Sequence, residues 1–425
     1  MNRYITTSGQ IALGRTRRFV GGLSKALFLG TILWAGQIRA DDGLDAITKG
    51  KILFDTRVRW EDVQQDGIAK SADAVTIRTR LGLETAELFG TKTWALVEFE
   101  DIRNLAQQAY NSTANGKTKF PTIGDAPATE LNRAQLTFTG IPDTTIIVGR
   151  QRILLDNQRF VGNAGFRQNE QTFDAVTMIN KTIPDTELEY IYIDQVRRVF
   201  GPNSPQGRFP SSSNLFHAKY TGFFKQTLVA YAYLLDLGPN SLLNTQTYGA
   251  RASGEFALDA SLALTYAAEY AKQKNFHTNP RRLNLDYYLG EAGLKYQAAT
   301  AAVGYEVLGG NGVLGFATPL ATLFAFQGWA DAFLTTPTRG VKDLYLKGGY
   351  GWKNIPIVNA VNVQLVYHKY NADFGSGSYG HEWNALISMP VTPRWTVEAR
   401  YADYTAGNLP LAGRRKFWLS AQFKL

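Results

Sequence analysis

The chain has 425 residues, a hydrophobic fraction of 44 %, no cysteine and a formal charge of +9. Its ordinary apolar content neither marks nor excludes a membrane protein, and the missing cysteines exclude a disulfide framework. Six cations (Arg3, Arg15, Arg17, Arg18, Lys25 and Arg39) lie in residues 1–40, which hold no acid, so the remainder carries only +3 and gives no footprint for a nucleic-acid partner.

The first element in chain order is the apolar run Ala26–Ala35. It is shorter than the roughly 20 residues a helix needs to cross a bilayer. A basic segment precedes it, and Ile38-Arg39-Ala40 stands before Asp41-Asp42. That order predicts a secretory signal over 1–40, cleaved near Ala40; the alternative is a buried N-terminal helix. Thr16-Arg17-Arg18-Phe19 glances at a twin-arginine signal, but a chain of the kind inferred below must cross the inner membrane unfolded.

Beyond Asp41 no helical period is sustained. The sequence breaks into short alternating runs instead. Ile52, Phe54, Thr56, Val58 and Trp60 alternate with Leu53, Asp55, Arg57, Arg59 and Glu61, and Val75, Ile77, Thr79, Leu81 and Leu83 alternate with Thr76, Arg78, Arg80, Gly82 and Glu84. Strand side chains point to opposite faces with period two, so each run has one apolar face and one polar or small face. About eighteen runs can be marked, beginning near 51, 74, 93, 129, 145, 173, 186, 215, 226, 245, 261, 285, 299, 341, 361, 379, 395 and 415. Their lengths approach the roughly 9–11 residues of a tilted membrane strand.

Short turns such as Gly140–Asp143, Lys181–Asp185 and Pro390–Pro393 alternate with long loops over 101–128, 153–170, 200–213, 272–284 and 309–340. Antiparallel strands crossing an outer membrane produce that alternation, with short periplasmic turns and longer extracellular loops. The predicted fold is therefore all-β: a transmembrane antiparallel β-barrel of about 18 strands over 41–425, one domain, in the outer membrane of a Gram-negative cell. A soluble sandwich, the alternative, has no reason to keep the alternation.

The last run puts Phe417, Leu419, Ala421, Phe423 and Leu425 toward lipid and Trp418, Ser420, Gln422 and Lys424 inward. A terminal strand of this kind is the signal that the barrel-assembly machinery reads. Trp60, Trp94, Trp383, Trp395, Tyr296 and Tyr401 fall near run ends, where interfacial girdles belong. Parity assigns to the lumen Arg57, Arg59, Arg78, Arg80, Glu98, Glu100, Arg133, Arg150, Arg152, Arg251, Glu269, Glu291, Lys295, Lys347, Glu398 and Arg400. With the turn after the second run centred near Phe89, Arg78 faces Glu100, Arg80 faces Glu98 and Leu81 faces Val97. These charges form either a wall-stiffening ion lattice or a selectivity device. Arginines outnumber acids in the set, and guanidinium groups suit carboxylates, so the expected solutes are anionic.

Three segments carry a resemblance: Val148-Gly149-Arg150-Gln151 with Asp156–Gly162; Phe166–Ala175; and Tyr305–Gly310 with Thr318–Thr322 and Phe326–Asp331. Together they resemble the alginate-export family of outer-membrane proteins. The resemblance implies an eighteen-stranded monomeric barrel with an electropositive lumen that passes an anionic saccharide, and it places Arg150, Arg152, Arg159 and Arg167 in or near the pore. The long pore-plugging periplasmic turn of the alginate exporter has no counterpart, since the late turns here are short. Export of uronate saccharides, uptake of small carboxylates or other nutrients, and a loop-plugged structural barrel all remain open readings.

The 309–340 loop is too apolar to wave in water, with Leu320, Leu323, Phe324, Trp329 and Phe333. It is expected to fold inward and narrow the pore, with Thr318-Pro319 opening a short helix. Only four histidines occur, His217, His277, His368 and His381, with no catalytic grouping and no metal-ligand spacing, so neither an enzyme nor a metal or other cofactor is expected.

Overall fold

The computed structural model describes residues 40–224 and 226–425. All but the last residue of the expected signal lies outside these. A short helix, α1 (Ala40–Thr48), leads into eighteen strands: β1 Lys51–Gln65, β2 Ala72–Glu84, β3 Thr93–Asn104, β4 Ala128–Phe138, β5 Thr144–Gln151, β6 Thr172–Asn180, β7 Thr186–Arg197, β8 Arg208–Phe223, β9 Gln226–Leu235, β10 Thr245–Ala257, β11 Leu262–Asn275, β12 Asn284–Tyr296, β13 Ala299–Leu308, β14 Val341–Ile355, β15 Val358–Asn371, β16 Ser378–Pro390, β17 Trp395–Ala406 and β18 Arg414–Lys424. Each strand pairs antiparallel with its sequence neighbours, and β18 returns to β1 along Asp55↔Lys424 to Gln65↔Arg414, so the sheet has no free edge. Closure is what hydrocarbon demands, because an unpaired edge N–H or C=O has no water to turn to there.

The start of β1, the end of β18 and the shortest turns lie at one end of the barrel, the turn side; the remaining connections lie on the loop side. The alternation is less regular than expected. On the loop side, 66–71 and 372–377 are only six residues each, while the turn-side connection 85–92 has eight. Strand β8 also starts at Arg208 rather than near 215, because its first residues, Arg208–Ser213, lack apolar alternation and Pro210 sits at a register shift against β7.

Period two sorts the side chains as the pattern requires. Along β1, Ile52, Val58 and Trp60 face outward and are exposed, while Arg57, Arg59 and Glu61 are buried inside. In β18, Leu419 faces out and Trp418 is buried, and Leu425, just past the strand, is exposed. Aromatics gather at two levels of the outer surface. Trp60, Trp383, Tyr248, Tyr270 and Tyr288 sit toward the loop side, and Trp352, Trp395, Tyr350 and Tyr296 toward the turn side, all exposed. The apolar belt between them identifies a membrane-spanning barrel. Placing Arg at Leu419, in that belt, is expected to cost roughly 2–4 kcal/mol. The same change at inward-facing Ser420 should cost far less. Urea unfolding of both variants in liposomes measures the difference, and equal costs would refute the face assignment.

One register expectation needs correction. Arg80, not Arg78, faces Glu100; Glu98 faces Gly82, and Leu83 rather than Leu81 faces Val97. The 85–92 turn carries left-handed backbone at Phe89, Gly90 and Lys92, which moves its centre by one residue and the pairing by two. A slip of two preserves parity, so every face survives while every partner changes.

Candidate functional site

The lumen is not an open cylinder. The 152–171 loop and the 309–340 loop both fold inward and meet. Val161 and Leu320 form a parallel bridge. Gly162 donates its N–H to the Leu320 carbonyl (2.9 Å), and Thr322 donates to the Gln158 carbonyl (3.1 Å). The Gln171 amide donates to both Gly162 and Leu320 carbonyls (2.9 Å each). Where the loops touch, the rings of Phe166 and Phe324 stack with centroids 3.5 Å apart, and Trp418 meets both edge-on at 5.6 Å. The two loops therefore make one partition.

Aromatic sockets fix this partition to the wall. Phe160 inserts among Tyr231, Tyr233, Tyr287 and Phe316, and Phe333 among Tyr370, Tyr379 and Tyr404. Polar anchors add direction. The Ala330 N–H reaches a Glu382 carboxylate oxygen at 2.8 Å and the Trp329 N–H reaches the Asn384 side chain at 3.1 Å. That approach needs a glycine at 328, whose φ is 82° and where a Cβ would collide with the Glu382 carboxylate. The inward fold of 309–340 is as expected, but the helix at Thr318-Pro319 is not. The one helical turn among the described residues of this loop is 3-10, at Leu323–Ala325, and the Thr318 hydroxyl accepts from Arg159 at 3.3 Å instead of capping.

The residues singled out from sequence line this interior, and most are already paired. Arg78 pairs with Asp55, and Arg80 with Glu100 and, at 3.6 Å, Glu170. Glu98 takes Arg133 at 2.8 Å, and Glu170 takes Arg152 at 2.5 Å. Arg150 pairs with Asp174 at 2.6 Å, Arg159 with Glu306 at 2.6 Å and Arg251 with Glu269 at 2.7 Å. Glu291 pairs with Lys347 at 2.6 Å and Arg400 with Glu398 at 3.2 Å, while Lys295 joins Glu255 at the turn-side mouth. Arg167 bridges Glu61 (3.2 Å) and Asp331 (2.6 Å). Arg57 acts on backbone instead, since its guanidinium donates to Gln168 Oε1 and to the carbonyls of Gly165, Phe166 and Arg167, at 2.6–3.3 Å.

The excess of arginine over acid expected in the lumen is therefore not found. Asp55, Glu61, Asp125, Glu170, Asp174, Glu306, Asp331, Asp343 and Glu382 all enter the interior network or its walls. Asp55 and Glu61 share the parity of Arg57 and were legible; Asp125, Glu170 and Asp331 come from loops, where no period marks the face.

What distinguishes the charges is their arrangement. Six buried guanidinium N–H groups have no hydrogen-bond acceptor among the described residues: Arg59 Nε and Nη1, Arg78 Nε, Arg80 Nη2, Arg400 Nε and Arg414 Nε. All lie on β17, β18, β1 and β2, which are consecutive in the barrel. Beside this basic strip, Arg59 stacks its guanidinium on Phe166 (4.2 Å to the centroid), and Arg400 lies 5.2–5.9 Å from Phe166, Phe324 and Trp329. Farther along the wall, beyond β16, β12–β15 present Glu291, Glu306, Asp343 and His368 to a cavity of about 330 Å³ on the turn side of the partition. A second cavity of about 460 Å³ lies on its loop side, lined by Arg167, Arg198, Phe324, Asp331, Arg414 and Lys416.

Burial opposes the ionised form of Asp331 and Glu170, yet both carboxyls are held below the ordinary range, Asp331 by Lys416 and Arg167, Glu170 by Arg80 and Arg152. Burial also lowers Arg198 to about 10. A depressed carboxyl pKa stabilises the fold fully above the unfolded value near about 4 and loses that contribution as pH falls through the lower folded value. The contribution of these two carboxylates to the partition should therefore be lost below about pH 4, visible as a falling Tm with added noise in the single-channel current. A flat profile down to about pH 2 would contradict the assignment.

Fold and site together define an eighteen-stranded transmembrane barrel with a loop partition across its lumen. No family model and no curated protein matches the chain. Solved structures with the same architecture include OccK3 (OpdO) of Pseudomonas aeruginosa, at 13 % identity over 92 % of this chain and 99 % of that one, TM-score 0.68. OccAB2 of Acinetobacter baumannii is similar at 16 % identity over 90 % and 99 %, TM-score 0.69. OccK5 (OpdH) of Pseudomonas aeruginosa matches at 12 % identity over 89 % and 99 %, TM-score 0.62. At such identities the likeness is one of fold, and the alginate-export resemblance rests on its sequence segments alone.

Proposed function

We propose that the chain is a substrate-selective pore of the bacterial outer membrane that takes up small anionic solutes, carboxylates and short uronate saccharides among them. The observation that carries this reading is the strip of guanidinium N–H groups on β17–β18–β1–β2 that no acceptor among the described residues satisfies. Buried donors without partners are costly; they are covered here, so a solute carboxylate supplies the missing acceptors once the loops that pack over the strip move aside. Carboxylate pairing does not by itself set the strip apart, since Arg59 lies 3.5 Å from Asp125 and Arg78, Arg80 and Arg400 pair with Asp55, Glu100 and Glu398; its distinction is the donors left over after those pairs are made. The inward loops favour small solutes over a polymer, since the pockets beside them hold only about 330, 420 and 460 Å³. The shared barrel fold and the signal-like N-terminal segment support the outer-membrane location, with the turn side in the periplasm.

Reversal potentials across planar bilayers under a potassium chloride gradient test the reading. Anion preference is expected, with a clear loss of preference in Arg59→Ala and Arg400→Ala. Cation preference in the parent barrel would overturn it. No conductance under any condition would instead mark a barrel permanently plugged by its loops, the reading that the hydrogen bonds between the loops favour.

A further inference from the structure

Asp331 is an acid in the wrong company for a pore that attracts anions. It is buried, and its Oδ2 is gripped by Lys416 Nζ and Arg167 Nη2, each at 2.6 Å. Arg414 Nη1 donates to its backbone carbonyl at 3.0 Å. Three cations from the wall and the 152–171 loop thus converge on one residue of the 309–340 loop. All four groups line the loop-side cavity of about 460 Å³, together with Arg198. Arg198 rests on the rings of Phe200 and Phe209 and donates to the Gln206 carbonyl. The carboxylate therefore reaches the cluster from a loop that has turned back on itself. The backbone is left-handed at Gln327 (φ 49°), Gly328 (φ 82°) and Asp331 (φ 60°). Two of these residues bear side chains, and such geometry persists only where surrounding contacts impose it.

We propose that Arg167, Lys416 and Arg414 form a carboxylate-binding site on the loop-side face of the partition, that Asp331 occupies it as a tethered ligand, and that a solute carboxylate displaces Asp331 and frees the 309–340 loop from β18. The proposal rests on the anionic reading above and adds to it a site and a consequence of occupying it. Charge balances in the exchange: one carboxylate leaves the cations for the water of the cavity as another arrives. A ligand shifts a conformational equilibrium only by its differential affinity for the two states, and here that difference is direct, because solute and Asp331 cannot hold the same cations together. A short tether gives Asp331 an effective concentration in the roughly millimolar range, so displacement requires solute at similar levels. Glu61, on the other side of Arg167, keeps that guanidinium in place during the exchange.

The test uses the full barrel in planar bilayers, with sodium succinate as the probe and neutral succinamide as the control. Parent conductance should rise as succinate reaches millimolar levels and should ignore succinamide. Asp331→Asn should conduct at least about twofold more than the parent without succinate and show no further rise. Exchanging the pair, Asp331→Lys with Lys416→Asp, should restore the low state without the succinate response. Heat-modifiable migration on gels establishes that each variant has folded. If Asp331→Asn fails to insert, Lys416→Met removes one grip and should release the loop in the same way. An Asp331→Asn or Lys416→Met barrel with parent conductance and parent response overturns the proposal, and so does a fall in current with succinate shared by parent and variant. Reversal potentials from the same membranes separate the two readings. An anion-selective barrel whose variant is unchanged sinks only the tethered ligand, whereas a cation-selective parent sinks the proposed function.

Discussion

Replacing Asn311–Thr338 by a short glycine–serine linker is expected to raise single-channel conductance several-fold. The segment supplies half of the partition: Leu320 and Thr322 hydrogen-bond the 152–171 loop, Phe324 stacks on Phe166, and Phe333 fills the pocket among Tyr370, Tyr379 and Tyr404. Removing it opens the path between the cavities of about 330 and 460 Å³. It also strips Glu382, Lys416 and Arg159 of loop partners while their buried positions remain. Removing one partner of a buried charged pair is costly, roughly 3–5 kcal/mol where the remaining charge stays dry. Water entering the widened lumen reduces that cost here, so a lower Tm with a barrel that still inserts is the expected outcome. Conductance equal to the parent's would show that the 309–340 loop does not limit the pore.

Arg57→Ala should have the second-largest effect, and on stability more than on selectivity. This guanidinium faces no carboxylate at hydrogen-bond distance among the described residues; it caps the carbonyls of Gly165, Phe166 and Arg167 and the side-chain oxygen of Gln168. Truncation leaves those acceptors buried and unsatisfied, each costing roughly 1–3 kcal/mol unless water follows. The planar fork matters, since five fixed donors reach several carbonyls at once where an ammonium concentrates its charge at one point. Arg57→Lys should therefore recover only part of the loss. Urea unfolding in liposomes, read by tryptophan fluorescence, measures the series. Because Phe166 and Phe324 stack across the loops, current noise should rise in Arg57→Ala as the 152–171 loop frees. Reversal potential should move less than in Arg59→Ala, whose Nε and Nη1 find no hydrogen-bond acceptor among the described residues. A selectivity change in Arg57→Ala equal to that of Arg59→Ala would reassign Arg57 from anchor to solute contact.

The comparison of these two neighbours shows where reading the sequence stops. Arg57 and Arg59 share a parity and a composition, and period two places both inside. Their different employment follows from where the tip of a loop more than a hundred residues away comes to rest: Phe166 offers its carbonyl to both, but Gly165, Arg167 and Gln168 complete the cradle only around Arg57. The arginine excess failed only in part for the same reason, since Asp55, Glu61, Asp174, Glu306, Asp343 and Glu382 stand on strands. Carboxylates on strands could be counted by parity, whereas Asp125, Glu170 and Asp331 arrive on loops whose facing follows no local rule. The register of β2 against β3 failed differently, through a turn centre displaced by one residue, an error that leaves the faces intact.

The amino-acid sequence by itself determined the number of strands, their closure at Leu425 and which residues meet lipid, because these depend on a period of two repeated along every strand and on the absence of water in the membrane. The tertiary structure alone decided that two loops meet inside the barrel, that most lumen charges neutralise one another, and that the unsatisfied guanidinium groups collect on four adjacent strands. Those outcomes depend on contacts between residues distant in the chain, such as Arg159 with Glu306 and Asp331 with Lys416. No local pattern encodes which of several equivalent cations such a carboxylate will reach.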